Sequence, residues 1–402
     1  MNDILKPFGL LRRPDVAAFA LVAILVPWLS LFAPRVLGGV LPAAAILAVV
    51  GRYWTLRSFV PMERGPWIAV ALVVALCALS ALWAPDTLFA LDRSSRIAGS
   101  LATALLLFFT ARGLGESDRA DLRSLLLWST VFGLALTAAN MLSHGAIYAL
   151  VASKKALATG LEVGTNRPMV ILVLVVWSAV VAAMESGWKR LALLLPFAAF
   201  AVTTLTESQT AFTAAILGVA VYWIARRWPR FAGRAVVWTG AALILVMPWF
   251  ILLLRHFDPN IDFDWPQASA GARLEIWYAI AAEVVHAPWI GHGVEATRFV
   301  PDWGMAHRYF PEKSVLHPHN GALEIWYEFG ALGALLAAWI WVAVARRASA
   351  LAGSMHATAL ACMTVVFVVS CVSHGLWQSW WLGAVGLVPA LFAMAGKRTE
   401  LA

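Results

Sequence analysis

The chain has 402 residues, of which 61% are hydrophobic and 13% charged, with a mean hydropathy of +0.78 and a formal net charge of +8. That make-up excludes a soluble domain of ordinary composition. The positive charge gathers in short turns between apolar runs, so it does not argue for a nucleic-acid partner.

Twelve apolar runs are long enough to cross a bilayer: 16–33, 36–51, 66–84, 94–111, 122–142, 168–184, 189–205, 209–225, 235–254, 321–345, 356–373 and 376–395. Backbone amides in hydrocarbon must bond within their own segment, so these runs predict helices. The fold class is therefore all-α: a polytopic membrane protein with about twelve transmembrane helices, forming one integral membrane domain over 1–402. The first run follows Lys6, Arg12 and Arg13 and reads as an uncleaved signal-anchor. Cys77, Cys362 and Cys371 all fall inside apolar runs, which excludes a disulfide framework.

Basic residues set the expected orientation. With the N-terminus in the cytoplasm, the inside turns hold 19 of the 30 Lys and Arg, among them Arg52, Arg112, Arg119, Arg123, Lys189, Arg190, Arg226, Arg230, Arg234 and Arg346. Both termini are then cytoplasmic. The other 11 fall outside: Arg35, Arg93, Arg96, Lys154, Lys155, Arg167, Arg255, Arg273, Arg298, Arg308 and Lys313. Topology does not require them there, and cations on the translocated side suit an anionic ligand such as a phosphate.

The segment 255–320 is the one large polar loop. It opens with a turn signal at Asp258-Pro259-Asn260 and continues through Asp262-Phe263-Asp264 and Trp265-Pro266. The Asp-Phe-Asp tripeptide resembles a nucleotide-sugar metal motif, but it is short, common and on the outer side, and is discounted. From Gly271 to about His286, Leu274, Trp277, Tyr278, Ala281, Val284 and Val285 recur at spacings of three and four, predicting a helix with one apolar face. Such a helix lies on the membrane surface or packs on the bundle. Gly291-His292-Gly293 predicts a tight turn, and the loop closes with His317-Pro318-His319-Asn320-Gly321.

His319 is the candidate general base. Asn320 suits the N-cap of the next helix, which sets His319 beside a positive helix end that disfavours imidazolium. The competing reading is that His319 only bonds the loop. His317 is near enough to share a ligand, yet His-Pro-His lacks the remaining spacing of a zinc motif, so no metal and no other cofactor is expected. Arg273 either pairs with Glu275 or Glu283, or holds pyrophosphate oxygens with its planar fork. Arg167 has the same two readings. Arg93 and Arg96, one helical turn apart, either share an anion or snorkel to headgroups. Outer tryptophans either stack on sugars or sit at the membrane interface. Gly330 and Gly333 are expected to let helices pack closely.

Two elements together resemble the O-antigen ligase family: His319-Asn320 through Gly330-Ala331-Leu332-Gly333, and Arg273-x-x-x-Trp277 followed by Pro288-x-x-Gly291-x-Gly293. Length, helix count and one large outer loop before the third-last helix agree. The resemblance implies a GT-C-like fold in the bacterial inner membrane with its site facing the periplasm. It implies transfer of a glycan from undecaprenyl pyrophosphate to a lipid A-core hydroxyl by metal-independent inverting displacement, with His319 and Arg273 as the catalytic pair. Members often carry Ser-Arg where this chain has Ser208-Gln209. Gln209, Asn320 and His317 are then substrate-binding candidates, with Arg167, Arg93 or Arg96 supplying the missing cation. A repeat-unit polymerase and a protein O-oligosaccharyltransferase are the alternatives within the superfamily. The latter are usually longer at the C-terminus, and the end at Ala402 soon after the last run favours the ligase. A lipid or glycan transporter is the rival outside the enzymes, disfavoured because most charges lie at helix ends or in the loop rather than at mid-membrane.

Overall fold

A computed structural model describes residues 13–151, 161–258, 268–305 and 308–397. Of the features read from sequence, Lys6, Arg12, Lys154, Lys155, Pro259-Asn260, Asp262-Phe263-Asp264, Trp265-Pro266 and Arg398 lie outside those residues. The described chain is 81% helical, with no strand among the described residues. In order the helices are α1 (Pro14–Phe32), α2 (Leu37–Leu56), α3 (Arg64–Ser80), α4 (Thr87–Arg112), α5 (Glu116–Leu142), the short α6 (Ala146–Val151), α7 (Leu161–Glu185), α8 (Lys189–Thr204), α9 (Gln209–Arg227), α10 (Pro229–Phe257), α11 (Ala268–Val284), α12 (Gly321–Ala350), α13 (Gly353–Val372) and α14 (Ser379–Ala395).

Each of the twelve apolar runs coincides with one of these helices. Eight are long and apolar enough to span a membrane by themselves. The other four fall short for plain reasons. The helices α3 and α14 have 17 residues each, α8 has 16, and α9 begins on Gln209-Thr210 and ends on Arg226-Arg227. The protein is a multi-pass, all-α membrane protein.

The helix α7 is the hub. Between Gly164 and Glu185 it holds an apolar window that is 89% buried, as expected of a helix surrounded by others. It packs on α1, α5, α8, α9, α13 and α14. Charged groups inside the bundle close helix ends. Buried Arg119 donates to the carbonyls of Leu114 (3.2 Å) and Arg112 (2.9 Å), and Arg123 donates to that of Ala395 (2.9 Å). Both residues read as topology signals in the sequence, and both satisfy carbonyls that a helix C-terminus leaves without partners.

The segment between α10 and α12 carries its own apolar core, in which Ile276, Ile280 and Val284 of α11 meet Trp303, Trp326 and Tyr327. The helix α11 thus packs on the bundle, against α10 and α12, rather than lying free on a surface.

The helix α12 is broken. Gly330 has φ +59° and ψ −152°, a conformation open only to glycine, and the loop 288–293 is laid across the break. His292 N–H donates to Tyr327 O (2.8 Å) and Gly293 N–H to Glu328 O (2.9 Å), while Pro288 O and Trp289 O accept from Ala331 (2.7 Å) and Leu332 (3.1 Å). These four bonds satisfy the groups the break releases, the condition for irregular backbone beside a membrane. A Cβ on Gly330 would strike the backbone of Trp289, and one on Gly291 would strike that of Glu328 and Phe329. Gly330 was expected to ease helix–helix packing; it instead admits a loop, because a glycine in an apolar helix looks the same in sequence whichever neighbour approaches it.

Candidate active site

The ends of α7, α9, α11, α12, α13 and α14 that lie beside the 285–320 segment bring together most of the polar groups singled out from sequence. Asn320 caps α12, its Oδ1 accepting from Leu323 N–H at 3.0 Å, and is buried. His319, just before the cap, sits at φ +55°, a left-handed conformation that costs a non-glycine residue about 1–2 kcal/mol. Its Nδ1 bonds the carbonyl of Ser373, at the end of α13. A carbonyl only accepts, so Nδ1 carries the proton and Nε2 of the neutral ring keeps its lone pair. Burial pushes the His319 pKa below the ordinary imidazole value; the Ser373 bond opposes this, and the nearby Arg273 charge adds to it.

The spacing of Arg273 and Trp277 has a direct consequence. Four residues apart, they share a face of α11. The Trp277 indole N–H donates to Pro318 O at 2.8 Å, which ties that face to the His-Pro-His stretch and brings Arg273 within electrostatic range of His319. The alternative ion pair for Arg273 is not formed, because buried Glu275 accepts from the backbone N–H groups of Arg308, Tyr309 and Phe310 at 2.7, 2.9 and 3.0 Å. The Arg273 guanidinium donates to Ser269 O (3.3 Å) and has no carboxylate partner among the described residues.

His317 and His319 have ring centroids 4.3 Å apart. The Gln378 amide nitrogen meets His317 Nε2 at 2.8 Å, and the Gln378 carbonyl oxygen accepts from the Trp380 indole at 2.7 Å. Burial, followed by the neighbouring His319, Arg298 and Arg167, lowers the His317 pKa to about 3. His317 is thus held as a neutral ring.

Two further groups complete the cluster. Arg167, near the start of α7, lies with its guanidinium carbon 5.6 Å from the centre of the Trp380 ring. His374 is buried, its ring edge-on to Trp380 at 4.6 Å. Burial lowers the His374 pKa, helped by the charges of Arg167 and Arg273. Ser208, where the family shows Ser-Arg, caps α9 and donates its hydroxyl to Asn166 Oδ1 at 2.6 Å, so Gln209 begins α9 beside the residue preceding Arg167. Arg167 Nε, His317 Nδ1, Ser373 Oγ and His374 Nε2 are all buried without a hydrogen-bond partner. Unpaired polar atoms gathered in this way are groups that a polar ligand would satisfy.

Sequence reading did not single out His374, Trp380 or Gln378. The available signal was a Ser-His pair breaking the apolar text between the last two runs. Arg93 and Arg96 are elsewhere. Arg96 pairs with Asp92 (2.8 Å), while Arg93 stacks on Phe89 (4.8 Å) and lies 3.7 Å from Glu295, which also holds Arg298. No group of His, Cys, Asp and Glu suited to a metal ion occurs among the described residues.

Residues 194–338 match the O-antigen ligase family model. The matched segment contains Ser208, Arg273, His317, His319, Asn320 and the break at Gly330, while Arg167 and His374 approach from helices outside it. A candidate polysaccharide ligase of Rickettsia conorii is 22% identical over 319 residues, covering 78% of this chain and 75% of that protein. Its counterpart in Rickettsia felis is 24% identical over 321 residues, covering 78% and 76%.

Proposed function

We propose that the protein is a membrane glycosyltransferase of the ligase type, moving a glycan from undecaprenyl pyrophosphate to a hydroxyl of lipid A-core on the periplasmic face of the bacterial inner membrane. The observation that carries this reading is the bond from His319 Nδ1 to Ser373 O, which leaves a neutral, basic Nε2 among cations that lack carboxylate partners. The match to the O-antigen ligase family supports the donor class.

Pyrophosphate already leaves well, so the donor needs no strong acid. It needs fixed positive charge where the leaving group's charge grows, and Arg273 and Arg167 supply it. His319 Nε2 takes the proton of the acceptor hydroxyl as that oxygen attacks the anomeric carbon. The bond to pyrophosphate breaks in the same displacement, undecaprenyl pyrophosphate departs, and the anomeric configuration inverts. His317 and Asn320 fix the position of His319 through the ring contact and the helix cap, and Gln209 borders the Arg167 side. Trp380 offers an aromatic face for the sugar or, as now, for Arg167.

The test is reconstitution of the purified protein with a lipid-linked glycan and, separately, lipid A-core, a second lipid-linked glycan and a protein acceptor. Product on lipid A-core alone is expected. Product only on the second lipid-linked glycan would make the enzyme a polymerase, and product only on protein would make it an O-oligosaccharyltransferase. His319→Ala in a folded, inserted protein should lower transfer by about 10²–10⁴-fold, the usual worth of a general base, and wild-type transfer by that variant would overturn the mechanism.

A further inference from the structure

At the end of the bundle remote from His319, the turns α9–α10 and α12–α13 meet. From Gly353 to Ser373, α13 alone separates the two ends by about 30 Å at 1.5 Å per residue. Between these turns lies a cleft of about 850 Å³ lined by Arg226, Arg230, Arg234, Arg346, Trp238 and His356. It has no acidic residue in its lining, and none of the four arginines is paired with a carboxylate among the described residues. Arg226 stacks on Tyr222 and Trp223 (5.5 and 5.2 Å) and Arg346 on Trp238 (5.5 Å), contacts that leave their charge uncancelled.

A general excess of cations on this face explains a basic surface, but not this arrangement. Arg226 and Arg346 lie near the C-terminal ends of α9 and α12, where the helix dipole favours cations. Arg230 and Arg234 are at the opposite kind of end. They occupy the first two turns of α10, whose first turn has no acidic residue and whose N-cap, Trp228, makes no side-chain cap. Four residues apart on one helix, they also repel each other. The first residue of α13, Gly353, lines the same cleft, and its N-cap Ala352 has no capping side chain either. Two uncapped helix N-termini and four guanidinium groups therefore face one space, beside His356, whose Nε2 is buried without a partner. The uncapped N-termini, the Arg230–Arg234 repulsion and the unpartnered Nε2 are each unfavourable alone, and an anion offsets them all. Beside the cleft the α10–α12 seam is closed, with Val237, Ala241 and Ala338 buried, while Trp238, Trp339 and Val344 leave exposed apolar surface on the same two helices.

We propose that this cleft binds the phosphate headgroup of an anionic membrane lipid, with the acyl chains lying against the exposed apolar faces of α10 and α12. A phosphate on a lipid reaches a site at this depth already anchored, and basic pockets between membrane helices hold such headgroups. The site is independent of the transfer chemistry.

The experiment titrates fluorescent phosphatidylglycerol onto the purified full chain, with phosphatidylcholine as the neutral reference. The Arg230→Gln/Arg234→Gln variant should bind about thirtyfold more weakly, from the usual worth of two interfacial cations. Arg346→Gln, on a different helix, should weaken binding about fivefold by the same reasoning. Lys189→Gln/Arg190→Gln, at the start of α8 and outside the cleft, should leave binding unchanged. Wild-type binding by both cleft variants, or equal weakening by the Lys189/Arg190 control, would overturn the site. Displacement of the labelled lipid by inorganic phosphate alone would overturn the assignment to a lipid and make the occupant a soluble anion.

Discussion

Two groups of arginines flank the 285–320 segment, and they differ in what surrounds them. Arg93, Arg96 and Arg298 each face a carboxylate, Glu295 or Asp92, and the Arg93 pair joins α4 to the loop after α11. Arg167 and Arg273 face aromatic rings, carbonyls and neutral histidines, with no acid among the described residues. The lesson is that an outer cation is informative only once its partner is known. A charge already neutralised inside the protein holds the fold, whereas a half-buried charge without a counter-ion keeps its attraction for a ligand.

That contrast can be broken by substitution. The largest effect is expected at Arg273: Arg273→Gln should reduce glycan transfer by about 10²–10³-fold, the range for removing one preorganised stabiliser of developing charge. Equal rates for Arg273→Gln and wild type would erase the distinction between the two groups. Gly330→Ala comes next. It should cost about 3 kcal/mol of stability, read as a lower unfolding temperature in detergent, because alanine does not tolerate that backbone region and its Cβ meets the loop.

The pH profile sharpens the comparison. His319 must be neutral to accept a proton, and its pKa lies below the ordinary imidazole value. Transfer should therefore rise with pH through a midpoint below about 6.5 and stay flat above it. Removing the Arg273 charge should move that midpoint upward, since this charge helps to depress it. Stability follows the same sign. Depressed histidine values mean that the folded chain binds fewer protons than the unfolded one. This contribution is complete above the ordinary imidazole range and is lost as pH falls toward the folded value, near 3 for His317. The smallest effect belongs to Arg96→Gln. The pair with Asp92 is exposed and screened by solvent, so the unfolding temperature should stay at the wild-type value and transfer should change by less than about twofold.

Much of the architecture was legible because hydrocarbon leaves a segment few options. All twelve apolar runs are helices, the cap at Asn320 is where a polar residue before an apolar run predicts it, and Gly291 and Gly293 do make a turn at positive φ. The break in α12 was not legible. The text around Gly330 stays apolar, and the loop that repairs the helix lies about forty residues upstream, at 288–293. The gathering of groups was half legible. His317, His319 and Arg273 belong to one recognisable stretch, and Trp277 at four residues from Arg273 gave the geometry. His374 escaped because its buried ring looks like a lapse in an apolar run, and its neighbours Arg167 and Trp380 belong to other helices.

The interruption of α12 also divides labour along that helix. Ala331–Ala350 comprises 20 residues, or about 30 Å, the thickness of a bilayer's apolar interior. Gly321–Phe329, on the other side of the break, is a separate short rod. Four backbone bonds from a neighbouring loop hold it at the break, so the protein itself aims the rod that follows His319, independently of the longer one.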